Sequence, residues 1–233
     1  MKKNIKALLV LIIIGSILLV LTGCGDKENT KKEEPKKVVE TKPEIVDQTK
    51  PEIVDDKQSK AEISIGEWNG DVYTNDFLGL RYNLPTGWKY ASNEEIAEMM
   101  SISTELLNDN QKAAMELGKL TSVYYIYAQD TNTGNNVSVV TEKVIGNITM
   151  DDLIDGLKSE LLSIETIEYE IGETSTEKIG NIEAKTLTVE VKTSGIELIQ
   201  KYYFYEVDKY IVDIIVTSVT GEAGINEIIE CFE

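Results

Sequence analysis

Apolar and polar positions divide the chain into three stretches of different character. Residues 7–21 form an almost unbroken apolar run behind Lys2, Lys3 and Lys6, with no acid before Asp26. Residues 25–65 are polar and carry no sustained apolar spacing. From Gly66 onward periodicity returns. Runs rich in Val, Ile, Tyr and Thr predict strands over 78–84, 120–128, 136–144, 167–174, 183–191, 198–207 and 210–217. Turn sequences at 130–135, 193–195 and 207–209 join several of these into hairpins, because Gly, Asn and Asp accept the backbone conformations a tight reversal needs.

Helical spacing interrupts the strands, and each helix has its own start. Ser92 with Glu95 forms a capping box, in which the serine oxygen accepts the backbone N–H three residues on and the glutamate reaches back. Thr149 with Asp152 resembles the same device. Behind the first box, Ile96, Met99, Met100, Leu106, Leu107, Ala114 and Leu117 keep helical spacing up to Gly118, with 101–104 as a break into two helices. Behind the second, Leu153, Ile154, Leu157, Leu161 and Leu162 make an apolar stripe. Ile225, Ile228, Ile229 and Phe232 predict a last helix lying on the sheet. Strands in antiparallel hairpins with helices between them predict an α+β fold built on one mostly antiparallel sheet.

The first 23 residues read as a secretory signal and not as part of the fold. Their end, Leu21-Thr22-Gly23-Cys24, closely resembles the bacterial lipobox. The resemblance implies that the Cys24 thiol carries a thioether-linked diacylglycerol and that the mature protein begins there, held on the extracytoplasmic face of the cell membrane. Residues 24–65 then form a lipidated, disordered Lys/Glu/Pro tether. It has three of the chain's four prolines and a sequence, Thr41 to Asp47, that recurs as Thr49 to Asp55. As a coil it spans on the order of 35 Å, and about 140 Å fully extended. Residues 66–233 form the globular domain.

Within that domain, Trp68-Asn69-Gly70-Asp71-Val72-Tyr73-Thr74-Asn75, Leu78 to Pro85 and Gly87-Trp88 are similar to the opening of the PsbP and Mog-type fold family, including lipoproteins of low-GC Gram-positive bacteria. The Tyr202 to Tyr205 hairpin and the terminal helix fit that family's later elements. The resemblance implies a PsbP/Mog-like α/β/α sandwich, and a role in binding protein partners.

Charge and composition narrow the chemistry. The chain has no histidine, which removes Ser-His-Asp and Cys-His centres and imidazole metal sites. Its net charge is −18, and residues 66–233 hold 30 acids against 11 bases, which argues against nucleic acid as a partner. With Cys24 lipidated, Cys231 is left as a free thiol with no disulfide partner, and its place beside an apolar stripe suits packing. No cofactor motif is present.

The candidate ligand or partner surface comprises Trp68, Tyr73, Arg81, Trp88, Tyr203 and Tyr205. Trp68, Tyr73, Tyr82 and Trp88 suit either corner packing or a ligand site. Tyr124, Tyr125, Tyr127, Tyr202, Tyr203 and Tyr205 alternate along two strands, as rows that are either exposed for recognition or core. Arg81, the only arginine, suits a local ion pair or an anion anchor. Asp130-x-Asn132-x-Gly134 faintly resembles a calcium loop but departs from its spacing, and a hairpin turn explains the same residues. Acids at 168 and 170, and at 151, 152 and 155, single out no catalytic pair. The reading is a lipid-anchored extracytoplasmic binding or scaffold module without catalysis. The alternative is a solute- or cation-binding lipoprotein.

Overall fold

A computed structural model describes residues 63–100, 120, 122–193 and 195–233. The leader, Cys24 and the tether up to residue 62 lie outside the described residues, as do Leu106, Leu107, Ala114 and Leu117 of the expected first helical region.

In chain order the elements are β1 (Glu67–Asn69), β2 (Val72–Asn75), β3 (Leu80–Asn83), β4 (Trp88–Tyr90), α1 (Asn93–Met100), β5 (Ser122–Asp130), β6 (Asn136–Lys143), α2 (Met150–Leu161), β7 (Glu168–Ile171), β8 (Ser175–Ile179), β9 (Ile182–Thr193), β10 (Ile196–Val207), β11 (Tyr210–Ser218) and α3 (Glu222–Ile229). β1, β2 and β3 make a small antiparallel sheet. The other eight strands make a large one in the order β4-β5-β6-β11-β10-β9-β7, with β8 also paired to β9. Every pairing is antiparallel. The fold is α+β.

The three expected hairpins form at β5–β6, β9–β10 and β10–β11. The last closes through Asp208 and Lys209, between the paired Val207 and Tyr210, with Asp208 at φ 54. A positive φ in a two-residue turn matches the twist of the flanking strands, and aspartate accepts it better than most side chains.

β11 lies inside the large sheet, and every one of its residues is buried, which is why its sequence reads as a continuous apolar run instead of an alternating one. Alternate residues feed two cores. On one face Tyr203, Tyr205, Val212 and Ile214 pack with Tyr73, Leu80 and Tyr82 of the small sheet, Ile96 and Ala97 of α1, and Ile225 and Ile228 of α3. On the other, Tyr202, Phe204, Ile211 and Ile215 meet Leu153, Ile154, Leu157 and Leu161 of α2. Burying each such side chain contributes about 1.5–3 kcal/mol.

Both capping boxes are present: Glu95 N donates to Ser92 Oγ while Ser92 N donates to Glu95 Oε2 at 2.7 Å, and Thr149 and Asp152 exchange the equivalent pair. Leu162, expected in the α2 stripe, is instead the helix's C-cap and is 67% exposed, because the turn ending the helix swings it off the packed face. Phe232 is buried as expected, but beyond α3, where it forms an isolated bridge with Tyr82 of β3.

Four strands had no counterpart in the periodicity. β1, β2 and β4 are three or four residues long, too short to show alternation. β8, Ser-Thr-Glu-Lys-Ile, pairs with β9 on one side and is largely polar and exposed. The single strand expected over 167–174 ends at Ile171, and its continuation along β9 is made by β8.

Candidate functional site

The aromatic side chains of the first strands form a clamp between the two sheets. Trp68 stacks on Tyr90 of β4 with ring centroids 3.9 Å apart and planes within 8°, and it contacts Tyr73 at 5.3 Å and Tyr82 edge-on at 6.3 Å. Such pairs prefer offset-stacked or edge-to-face geometry and add to the burial they bring. Tyr73 and Tyr82 are 1% and 0% exposed, Trp68 is partly buried, and Tyr90 is the most open ring of the group, at 39%. Tyr73 is therefore removed from the candidate partner surface. Its hydroxyl donates to Ile65 O and accepts from Asn75 Nδ2, and burial pushes its pKa far above the ordinary phenol value.

Tyr203 and Tyr205 are corrected in the same way. Both are buried on the face of β10 that meets the small sheet, and the Tyr205 hydroxyl donates to Leu78 O at 3.1 Å. The aromatic rows divide differently from simple alternation, because a bulge between Tyr124 and Ile126 inserts an extra residue into β5. A bulge resets which side chains share a face. Tyr124 and Tyr127 thus stand opposite Val140 and Ser138 and are only partly buried, Tyr124 touching both cores, whereas Tyr125 lies within the core beneath the small sheet.

Arg81 is exposed on β3, where its Nε lies 2.8 Å from Glu233 Oε2, and Asn83 Nδ2 donates to the same carboxylate at 2.6 Å. The chain's last residues run along β3, with Asn83 N donating to Cys231 O and Glu233 N to Arg81 O. The arginine makes the local ion pair, an exposed contact worth at most about 1 kcal/mol. Burial comes first among the causes that raise the Cys231 pKa, so the thiol is held away from its reactive form.

Of the candidates, Trp88 lines a cleft. At the end of the large sheet where β4 begins and β5 ends, a cleft of about 250 Å³ is bounded by Pro85, Trp88, Asp130, Thr133, Asn135, Thr220, Ala223, Gly224, Glu227 and Ile228. Three connections build it: the turn before β4, the β5–β6 loop, and the β11–α3 loop with the first turns of α3. Asn135 joins the last two, accepting from Val219 N at 2.9 Å and donating to Thr220 Oγ1 at 3.0 Å.

The Asp130 carboxylate is taken up by its own loop. It accepts from Asn132 N at 2.9 Å and Thr133 Oγ1 at 2.7 Å. The loop is a hairpin turn of the kind aspartate favours. Slight burial acts to raise the Asp130 pKa, but these hydrogen bonds outweigh it and the acid is held below the usual range. Glu227, on the exposed side of α3, brings a second carboxylate to the cleft. An indole, three apolar neighbours (Pro85, Ala223, Ile228) and two acids suit a cation on an aliphatic stem.

Glu227 and Tyr90 were not singled out from the sequence, since one is an acid among many and the other a lone tyrosine on a three-residue strand. Among the described residues no group of three Cys, Asp or Glu side chains gathers as a metal centre, and no helix is long and apolar enough to cross a membrane.

No protein-family model matches the chain, and no curated protein matches it in sequence. Among solved structures it is similar to cyanobacterial PsbP from Synechocystis sp. PCC 6803, at 12% identity and a TM-score of 0.43, over 70% of this chain and 90% of that one. It is also similar to LpqN of Mycobacterium tuberculosis, described as involved in cell envelope biogenesis, at 14% identity and a TM-score of 0.40, over 66% of this chain and 81% of that one. A protein of Bacteroides thetaiotaomicron VPI-5482 matches at 12% identity and a TM-score of 0.38, over 70% of this chain and 48% of that one.

Proposed function

We propose that this protein is a lipid-anchored, extracytoplasmic binding or scaffold module without catalytic activity, and that the cleft at Trp88 receives a lysine or arginine side chain of a protein partner. The observation that carries the reading is the composition of the cleft, where an indole and an apolar floor meet Asp130 and Glu227. A cation over an indole and beside carboxylates gains from both, and a volume of about 250 Å³ suits one long side chain better than a cofactor. The net charge of −18 adds long-range attraction for a basic partner and repulsion for nucleic acid.

The test is capture of partners by the full chain, followed by association kinetics for the partner identified. Trp88→Ala and Glu227→Gln are each expected to weaken retention, and association is expected to slow as salt screens the field. A partner held equally well by both variants would place recognition elsewhere. Salt-independent association would show that the acidity serves solubility alone.

A further inference from the structure

The chain joins the domain at one end of the large sheet and builds the Trp88 cleft at the other. Ile63 to Ile65 are tied to the end of β2, where Asn75 Nδ2 donates to Ser64 O at 3.0 Å and the Tyr73 hydroxyl donates to Ile65 O. The turn after β2 sits at the start of β11. Phe77 meets Tyr210 edge-on with ring centroids 5.7 Å apart, and Tyr205, which pairs with Val212, donates from its hydroxyl to Leu78 O. The cleft sits past the end of β11. Asn135 holds Val219 and Thr220 there, and Trp88 stands opposite Asp130. From Val212 to Ser218 the strand advances about 20 Å, at roughly 3.3 Å per residue.

A domain held at one end by a leash carries its opposite end farthest from the surface, because turning that end down needs extra leash to run back along the sheet. Charge acts in the same direction. Asp71, Glu222 and Glu227 are exposed at the cleft end and Asp130 is half-buried, against Lys89 beside Trp88. Asp71 is placed there by its carbonyl, which accepts from Leu84 N at 2.7 Å, one residue before Pro85. An acidic end is repelled by anionic headgroups and attracts a basic partner.

We infer that, with the chain anchored through Cys24, the cleft end points away from the membrane and takes a basic side chain of a protein standing outside the membrane plane, not of a neighbour embedded beside it. This direction of approach rests on the proposed anchor and on the cleft as a receptor for lysine or arginine. The partner is then a basic protein that meets the domain from its far side, and the acidic rim is the first surface it encounters.

The full, lipidated chain in vesicles of phosphatidylcholine and phosphatidylglycerol that carry a lipid-linked energy acceptor provides the test. With Cys231→Ser removing the free thiol, a donor dye is placed on Thr131→Cys at the cleft end or on Lys209→Cys at the opposite turn, both exposed positions. Folding of each variant is checked by circular dichroism. The dye at 131 should transfer severalfold less energy than the dye at 209, and the contrast should widen when residues 27–60 are deleted. Equal transfer from the two positions, or failure of the chain to bind the vesicles, would overturn the orientation. A lysine-rich peptide added from solution gives the second arm. It should change Trp88 fluorescence equally in the vesicle-bound deletion variant and in its unanchored Cys24→Ala form, and not in Trp88→Ala. A response in the unanchored form alone would also overturn the orientation. No response in either form counts against the cleft as a lysine receptor, and the energy transfer then decides the orientation by itself.

Discussion

At the scale of single residues, Asp213 is the one acid in the apolar run 210–217, and the fold buries it on the α2 side, opposite Val140 of β6 and diagonal to Glu142. It and Glu142 both have folded-state pKa values above their unfolded ones, through burial first. The folded protein therefore holds protons that the unfolded chain releases. Stability contributed in this way is fully present below about pH 4 and falls as pH rises. For Glu142, raised from 4.5 to about 7, the loss is on the order of 3 kcal/mol across that window. Asp213 extends the decline to higher pH. Urea unfolding is expected to show the parent weakening between pH 5 and 8, and Asp213→Asn weakening less, so that the variant is the more stable of the two at pH 8. Parallel profiles would mean that Asp213 has found a partner in the folded state. Sequence reading singled out Asp213 no more than any other acid. Its pairing with Glu142 could not be read there, because only the β6–β11 register places the two diagonally.

At the scale of elements, α3 is held against the sheet at a position where a side chain would not fit. A Cβ on Gly224 would run into Ser218 Oγ, Thr220 Oγ1 and Asn135 Nδ2, the groups that tie the β11–α3 loop to the β5–β6 loop. Gly224→Ala is expected to cost about 1–3 kcal/mol, read as a lower midpoint in urea. Because Gly224 also lines the cleft, the variant should alter Trp88 fluorescence. An unchanged midpoint would show that the loop yields without cost. Elements of this domain were legible in proportion to their length. α2, β9, β10 and β11 announce themselves by period and by capping or turn residues, whereas β1, β2, β4 and β8 do not. Short or edge strands owe their pairing to a neighbour already in place, so their own sequence carries little of the signal. The bulge at Tyr125 is a further case: nothing in Tyr-Tyr-Ile-Tyr marks where an extra residue leaves the ladder.

At the scale of the whole molecule, the anchor is a proposal that rests on Leu21 to Cys24 and the apolar run before it. Replacing Cys24 by Ala should abolish labelling with a fatty-acid analogue and release the protein from membranes. Labelling that persists in Cys24→Ala would discard the anchor and leave the fold unaffected. The α+β class, the three hairpins, the two capping boxes and the surplus of acids followed from the sequence by itself, since each depends on residues close together in the chain or on composition. The tertiary structure decided which candidates face solvent. It turned Tyr73, Tyr203 and Tyr205 into core, paired Arg81 with Glu233, and brought Trp88, Asp130 and Glu227 around one cleft. Period-two alternation says only that neighbouring side chains point to opposite faces. Which face is covered depends on where the small sheet and the helices come to rest, and that is a matter of packing between segments far apart in sequence.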